Sequence, residues 1–200
     1  MNEARVVLAA LTQAIEQRDL YTQGHSRRVG ALGEAVARRL GWREERLEPL
    51  RLGGLLHDVG KLNLDTALLR KPGALNDRER SAVRRHPLVG ARLIRPFAAL
   101  RPALPYVLFH HERWDGGGYP TGRSREQIPT GARILAVADS FDAMTSTRPY
   151  RPALSVGSAL AEVRDCAGTQ FDPTVVHAFL AAWADGDLTP HLAAEERLSA

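Results

Sequence analysis

An all-α fold is predicted by three features of this 200-residue sequence. Apolar residues recur at spacings of three and four, capping residues and prolines punctuate those runs, and strand-period alternation is nearly absent. The first run covers residues 3–18, where Val7, Leu8, Leu11 and Ile15 fall on one helical face. A second extends over residues 25–40 through Val29, Leu32 and Val36, and Gly41 follows where a left-handed C-terminal cap is expected. Residues 43–57 repeat the pattern through Leu47, Leu50, Leu55 and Leu56. Gly53 and Gly54 lower the helix propensity there and mark close packing or a local irregularity.

Lys71, Pro72 and Gly73 read as a turn. Asn76 with Glu79 three residues later has capping-box spacing and opens a helix expected to run to residue 94, with His86 inside it. An apolar run over residues 100–111, interrupted by Pro102 and Pro105, leads into a glycine-rich loop over residues 113–129. Loops of that length are more often functional than idle, so this one is a candidate lid or substrate platform. Helices are then expected over residues 131–145 and 155–167. Asp172 with Pro173 starts the last one as N-cap and first-turn proline.

The length predicts one domain, and 44% hydrophobic with 25% charged residues argues against a disordered chain. The boundaries expected are a first helix over residues 1–18, the domain over 19–184 and a tail over 185–200 that frays. The first helix serves as a signalling linker, as a dimerisation helix, or simply packs on the core. The basic balance rests on 25 Arg and two Lys, spread among acids and without interleaved aromatics. That pattern describes solvated helix faces rather than a nucleic-acid stripe. A single cysteine, Cys166, excludes an intrachain disulfide and a cysteine-based zinc module, and favours a reducing, cytoplasmic setting. No stretch approaches the roughly 18 uncharged apolar residues of a membrane span, so neither a membrane partner nor a signal peptide is expected.

Five of the seven histidines carry the chemistry: His25, His57, His86, His110 and His111 stand at helix starts, at helix ends or beside acids. His177 and His191 look incidental. His57 adjoins Asp58, with Lys61 one turn on, and the pair His110 and His111 precedes Glu112 where a helix runs into the glycine loop. Imidazole and carboxylate together suit Fe, Mn, Ni, Zn or Co. More than four candidate ligands exceed the needs of one tetrahedral zinc, so two metals bridged by a shared carboxylate are favoured, with Asp58 the natural bridge. Such a pair suits in-line displacement at phosphorus, since it clamps the attacking and leaving oxygens and acidifies a bridging water to hydroxide. Phosphoester hydrolysis is the implied reaction.

His57 to Lys61 read HDVGK, and His110 to Pro120 read HHERWDGGGYP. With DLYTQGHSRRV from Asp19, KPGAL from Lys71, HPLVG from His86, ARILAVADSFDAMTSTRPYR from Ala132 and AGTQFDP from Ala167, the chain resembles the HD-GYP domain family, in order, over residues 19–180. The resemblance implies a helical HD-superfamily bundle with a long GYP loop. It also implies hydrolysis of cyclic di-GMP to pGpG and onward to GMP. His25, His57, Asp58 and Asp139 would hold one metal, and Asp58, His86, His110 and His111 the other. Fe or Mn are the first choices, with Ni, Co or Zn also suited. Lys61 would neutralise the scissile phosphate beside Asp58. Arg148 and Arg151 would bind substrate, although Arg148 equally fits a helix C-terminal charge. Asp19 and Asp142 would contact guanine or that basic pair.

Gly118 and Tyr119 lie on the loop that in the family approaches the metals and contacts partner proteins of the GGDEF or another regulatory type. Tyr119 either shapes the site or packs under the loop, and Asp115 braces it. Tyr21 stands where members with a third metal carry a glutamate, so two metals and an accumulation of pGpG are implied. Arg123 and Arg125 replace the leucine and glycine expected after GYP. Two other readings stay open: a domain that senses a cyclic dinucleotide or a partner with little turnover, and an HD phosphohydrolase of another cyclic dinucleotide.

Overall fold

The apolar stripe of residues 3–18 folds as α1 (Glu3–Arg18), and the following runs give α2 (His25–Arg39) and α3 (Glu44–Leu56). Shorter helices α4 (Thr66–Leu69), α5 (Asp77–Val83), α6 (His86–Ile94) and α7 (Leu104–Phe109) lead to the glycine loop. Beyond it come α8 (Thr130–Thr145), α9 (Val156–Asp165) and α10 (Pro173–Ala184). This computed structural model describes residues 3–18, 24–147 and 152–192, so Asp19, Tyr21, Arg148 and Arg151 lie outside the described residues. Among the described residues there is no strand, only an isolated bridge between Ala167 and Phe171. No helix there is long and apolar enough to cross a membrane.

The main core joins α2, α3, α8, α9 and α10 through Leu32, Leu47, Leu135, Phe141, Val163 and Phe179. α2 lies between α3 and α8, and it approaches α3 closely because glycines face each other. A Cβ on Gly54 would sit 2.5 Å from the Cα of Gly30. The close packing expected at Gly53 and Gly54 is therefore the reason for those glycines. A second cluster gathers Ile15, Leu56, Val59, Ile94, Leu100 and Val107. Its member Ile15 is 1% exposed, and burying a side chain of that size contributes about 1.5–3 kcal/mol. α1 thus packs on the core, and Arg18 donates to the carbonyls of Leu62 and Leu64, holding the turn that follows Asp58.

Two expectations are corrected. The helix opened at Asn76 does not continue to residue 94: α5 stops at Val83 and α6 begins at His86. Pro87 has no N–H to give the carbonyl of Val83, four residues back, and its ring would crowd that carbonyl. Of the tail expected to fray, residues 185–192 pack instead, and residues 193–200 lie outside the described residues. Leu188 and Leu192 are 0% and 3% exposed and join the main core around a short 3-10 turn, Thr189–His191.

Candidate metal centre

The candidate donors stand at helix ends. His25 is the first residue of α2, His57 caps α3 with Asp58 next, His86 opens α6, His110 caps α7 with His111 next, and Asp139 projects from α8. All converge. His25, His57, Asp58, His86 and His110 are each 4% exposed or less. Gly60 makes this possible, because a Cβ there would lie 1.9 Å from the carbonyl oxygen of His86. Only glycine lets α6 lie against the turn that follows Asp58.

Three of the imidazoles are aimed by the same device. Nδ1 of His57, His86 and His110 lies 2.7, 2.8 and 2.8 Å from the carbonyl three residues back, on Gly54, Val83 and Val107. A carbonyl only accepts, so each Nδ1 carries a proton and each Nε2 is turned inward. The carbonyl that Pro87 leaves without an amide donor is the one that orients His86. His25 is aimed differently, with Nδ1 2.6 Å from Asp142 Oδ2 and Nε2 3.2 Å from Asp139 Oδ1.

The inward donors form two groups that share Asp58. Donor atoms of Asp58, His86, His110 and His111 lie within 4.8 Å of one another, as do those of His25, His57 and Asp58. Asp139 Oδ1 is 3.8 Å from His57 Nε2 and so adjoins the second group. The carboxylate of Asp58 spans both: Oδ1 lies 3.3 Å from His86 Nε2 and Oδ2 3.4 Å from His57 Nε2. Lys61 Nζ donates to Oδ2 at 2.7 Å.

The donor chemistry fits cations. Nε2 of His86 and of His110 face each other at 3.2 Å, each with its Nδ1 proton committed elsewhere. Nε2 of His57 is buried without a hydrogen-bond partner. Burial, reinforced by His111 and His57, holds His110 neutral well below the usual histidine range. Burial and His86 push His111 down to about 3. Burial would lower His25 too, but Asp139 and Asp142 outweigh it and raise His25 to about 9. Asp58 stays ionised against its burial because Lys61 and His57 hold it well below the ordinary carboxylate range. For Asp139 it is His25 and His57 that overcome burial in the same direction. Lone pairs and carboxylates packed this closely repel one another unless positive charge lies between them.

The glycine loop closes one side. Tyr119 stacks on the His111 ring at 4.7 Å between centroids and 29° between planes, and donates its N–H to the His111 carbonyl at 3.1 Å. The Arg84 guanidinium lies 4.7 Å from the Tyr119 ring centroid. Gly118 takes part in that closure by shape alone, since a Cβ would come within 2.6 Å of the carbonyl oxygen of His111. Asp115 accepts from Arg113 and from the Gly117 amide and so ties the loop to itself. The peptide between Tyr119 and Pro120 is cis.

A match to the HD domain family model covers residues 9–175. The chain belongs to the HD domain family. The HD-GYP resemblance read from the sequence is borne out by curated relatives. A "Cyclic di-GMP phosphodiesterase" of Thermotoga maritima is 38% identical over 176 residues, 87% of this chain and 48% of that protein. Another, of Pseudomonas aeruginosa, is 44% identical over 167 residues, covering 82% and 40%. The chain spans about half the length of the curated relatives it matches. Among solved structures, the cyclic GMP-AMP specific phosphodiesterase of V. cholerae has a TM-score of 0.74 at 19% identity, over 96% of this chain and 51% of that one. At that identity the likeness speaks for the HD domain's fold.

Every expected metal donor of the HD-GYP reading lies in the centre, and Lys61 lies beside Asp58. Asp142, expected at guanine or at the pair Arg148 and Arg151, is 2% exposed with its oxygens engaged by His25 and Arg28, while Arg148 and Arg151 lie outside the described residues. His177 is exposed on α10, away from the cluster. Sequence reasoning passed over Glu112, whose buried Oε1 accepts from the amide and the hydroxyl of Thr121, both at 2.7 Å, and so staples the GYP segment. It also passed over Arg28, and it read Arg84 as ordinary solvated surface, whereas Arg84 lies over the Tyr119 ring. The signal for Arg28 was its position three residues after His25, which puts both on one helix face.

Proposed function

We propose that this chain hydrolyses cyclic di-GMP to pGpG, and more slowly to GMP, with two divalent transition metals, Fe or Mn first. The observation that carries the reading is the carboxylate of Asp58, whose two oxygens face two different imidazole groups. His25, His57, Asp58 and Asp139 would hold one metal, and Asp58, His86, His110 and His111 the other. When bound, the pair would supply Lewis acidity toward the phosphate oxygens and a nucleophile from water at neutral pH.

The protein's own groups do the rest. Asp58 and Asp139 set the negative charge that selects cations, and the carbonyls of Gly54, Val83 and Val107 keep the imidazole lone pairs pointed inward. Lys61 turns from Asp58 toward a nonbridging phosphate oxygen and offsets its charge in a water-poor site. Tyr119 and Gly118 wall the substrate side, while Asp19, Arg148 and Arg151 bind the guanine and phosphate groups. The names of the relatives support the substrate class.

The test is metal analysis of anaerobically purified protein, coupled to chromatography of products from cyclic di-GMP and, in parallel, cyclic GMP-AMP with added Mn or ferrous iron. Two metals per chain with pGpG formed from cyclic di-GMP is the expected result. Two metals without turnover of either substrate would replace the enzyme by a sensor, and faster cutting of cyclic GMP-AMP would reassign the substrate.

A further inference from the structure

Two pairs at i,i+3 spacing, His25 with Arg28 on α2 and Asp139 with Asp142 on α8, meet where those helices pack. One member of each pair belongs to the donor set. The other two form a bonded unit behind it. Asp142 places Oδ2 at 2.6 Å from His25 Nδ1. Arg28 donates from Nε to Oδ1 at 2.5 Å and from Nη2 to Oδ2 at 3.0 Å. Nη2 also reaches Ser146 Oγ at 3.2 Å, at the end of α8.

A two-point guanidinium grip fixes the plane of a carboxylate, and its charge offsets the cost of burying one. The other aimed histidines, His57, His86 and His110, take their orientation from a carbonyl three residues back. His25, as the first residue of its helix, takes it from another helix through Asp142.

We propose that Arg28 is a positioning residue of the metal centre: by gripping Asp142 it locks the His25 ring with Nε2 turned toward Asp139, and so sets the affinity of one of the two metal positions. The inference rests on the binuclear reading above. Without Arg28 the Asp142 carboxylate can turn, the His25 ring follows, and the position shared by His25, His57, Asp58 and Asp139 weakens. The position formed by Asp58, His86, His110 and His111 keeps its own carbonyl-aimed ligands and does not.

Calorimetric titration of the metal-free protein with Mn(II) tests this, using wild type, Arg28→Gln, Arg28→Lys and the nearly isosteric Asp142→Asn, each with its fold checked by circular dichroism. Wild type is expected to bind two ions per chain. Arg28→Gln and Asp142→Asn should each weaken one of the two events about 10- to 100-fold while the other moves less than about threefold. Arg28→Lys should recover only part of the loss, because an ammonium restores the charge without the two-point grip. A purely structural role would weaken both events together, and that result, or two unchanged events, overturns the inference alone. One ion per wild-type chain would overturn the binuclear reading and the inference with it.

Discussion

Asp58 and Lys61 stand one turn apart and have separable tasks. Asp58 is the one carboxylate common to both donor groups, so Asp58→Ala is expected to abolish hydrolysis and to lower bound metal, read by metal analysis and product chromatography. Lys61→Ala should keep the metals and lose about 10²- to 10³-fold in kcat, the usual cost of removing one charge-stabilising donor. Full turnover in Asp58→Ala would remove the mechanism. Arg125 shows a residue at odds with its backbone: its φ is 52°, in the left-handed region, at the position where the family pattern led us to expect glycine. Arg125→Gly should raise stability by about 0.5–1 kcal/mol in urea unfolding, since relief of side-chain strain exceeds the added chain entropy. The sequence marked that position as a departure; the strain followed only from the backbone.

At the scale of the helix, ends matter more than middles. The α5–α6 break was legible in Pro87, yet capping at Asn76 and the apolar run suggested one helix. The missing N–H of Pro87 decided otherwise, and it left the Val83 carbonyl to His86. Pro87→Ala should offer that carbonyl a competing amide. The expected result is a change of less than about 1 kcal/mol in stability with metal affinity about tenfold weaker, measured by unfolding and by Mn(II) titration. Unaltered affinity would show that His86 is aimed by packing instead. The α2–α3 pair is clamped by Glu34, which accepts from Arg51 and Arg38. Arg51, and then Arg38, outweigh burial and lower Glu34 from its ordinary 4.5 to about 2. A carboxylate lowered in the folded state stabilises above its unfolded value and loses that contribution as pH falls through the folded one. Wild type should therefore lose stability between about pH 5 and pH 2. Glu34→Gln should start about 1 kcal/mol lower at pH 7 and show a flatter acid limb.

For the whole molecule, the metal centre is where five separate elements meet: α2, the α3 end, α6, the α7 end and α8. Cations bound there would tie both core clusters together, so stripping them with a chelator should lower Tm. At a metal concentration about 1,000-fold above Kd the linkage is worth about 4 kcal/mol, which for a domain of this size is roughly 8–16 °C. A scanning calorimetry trace unmoved by chelator and by re-addition of Mn(II) would mean that the folded chain holds no tight ion.

The sequence by itself determined the all-α class, most helix positions, the absence of strands among the described residues and, with the family resemblance, which residues are the candidate metal donors. Apolar periodicity, caps and prolines are local signals, and imidazoles beside acids have few other uses in such number. Only the tertiary structure decided how the imidazoles are aimed, that Tyr119 stacks on His111, that residues 185–192 pack rather than fray, and that Asp142 serves His25. The physical reason is separation along the chain. His25 and Asp142 are 117 residues apart and bond at 2.6 Å, a contact that exists because Gly33 leaves room on α2 for Leu135 and Ile134 of α8 and the apolar faces of α2 and α8 exclude water together. No local pattern encodes that distance; the packed core does.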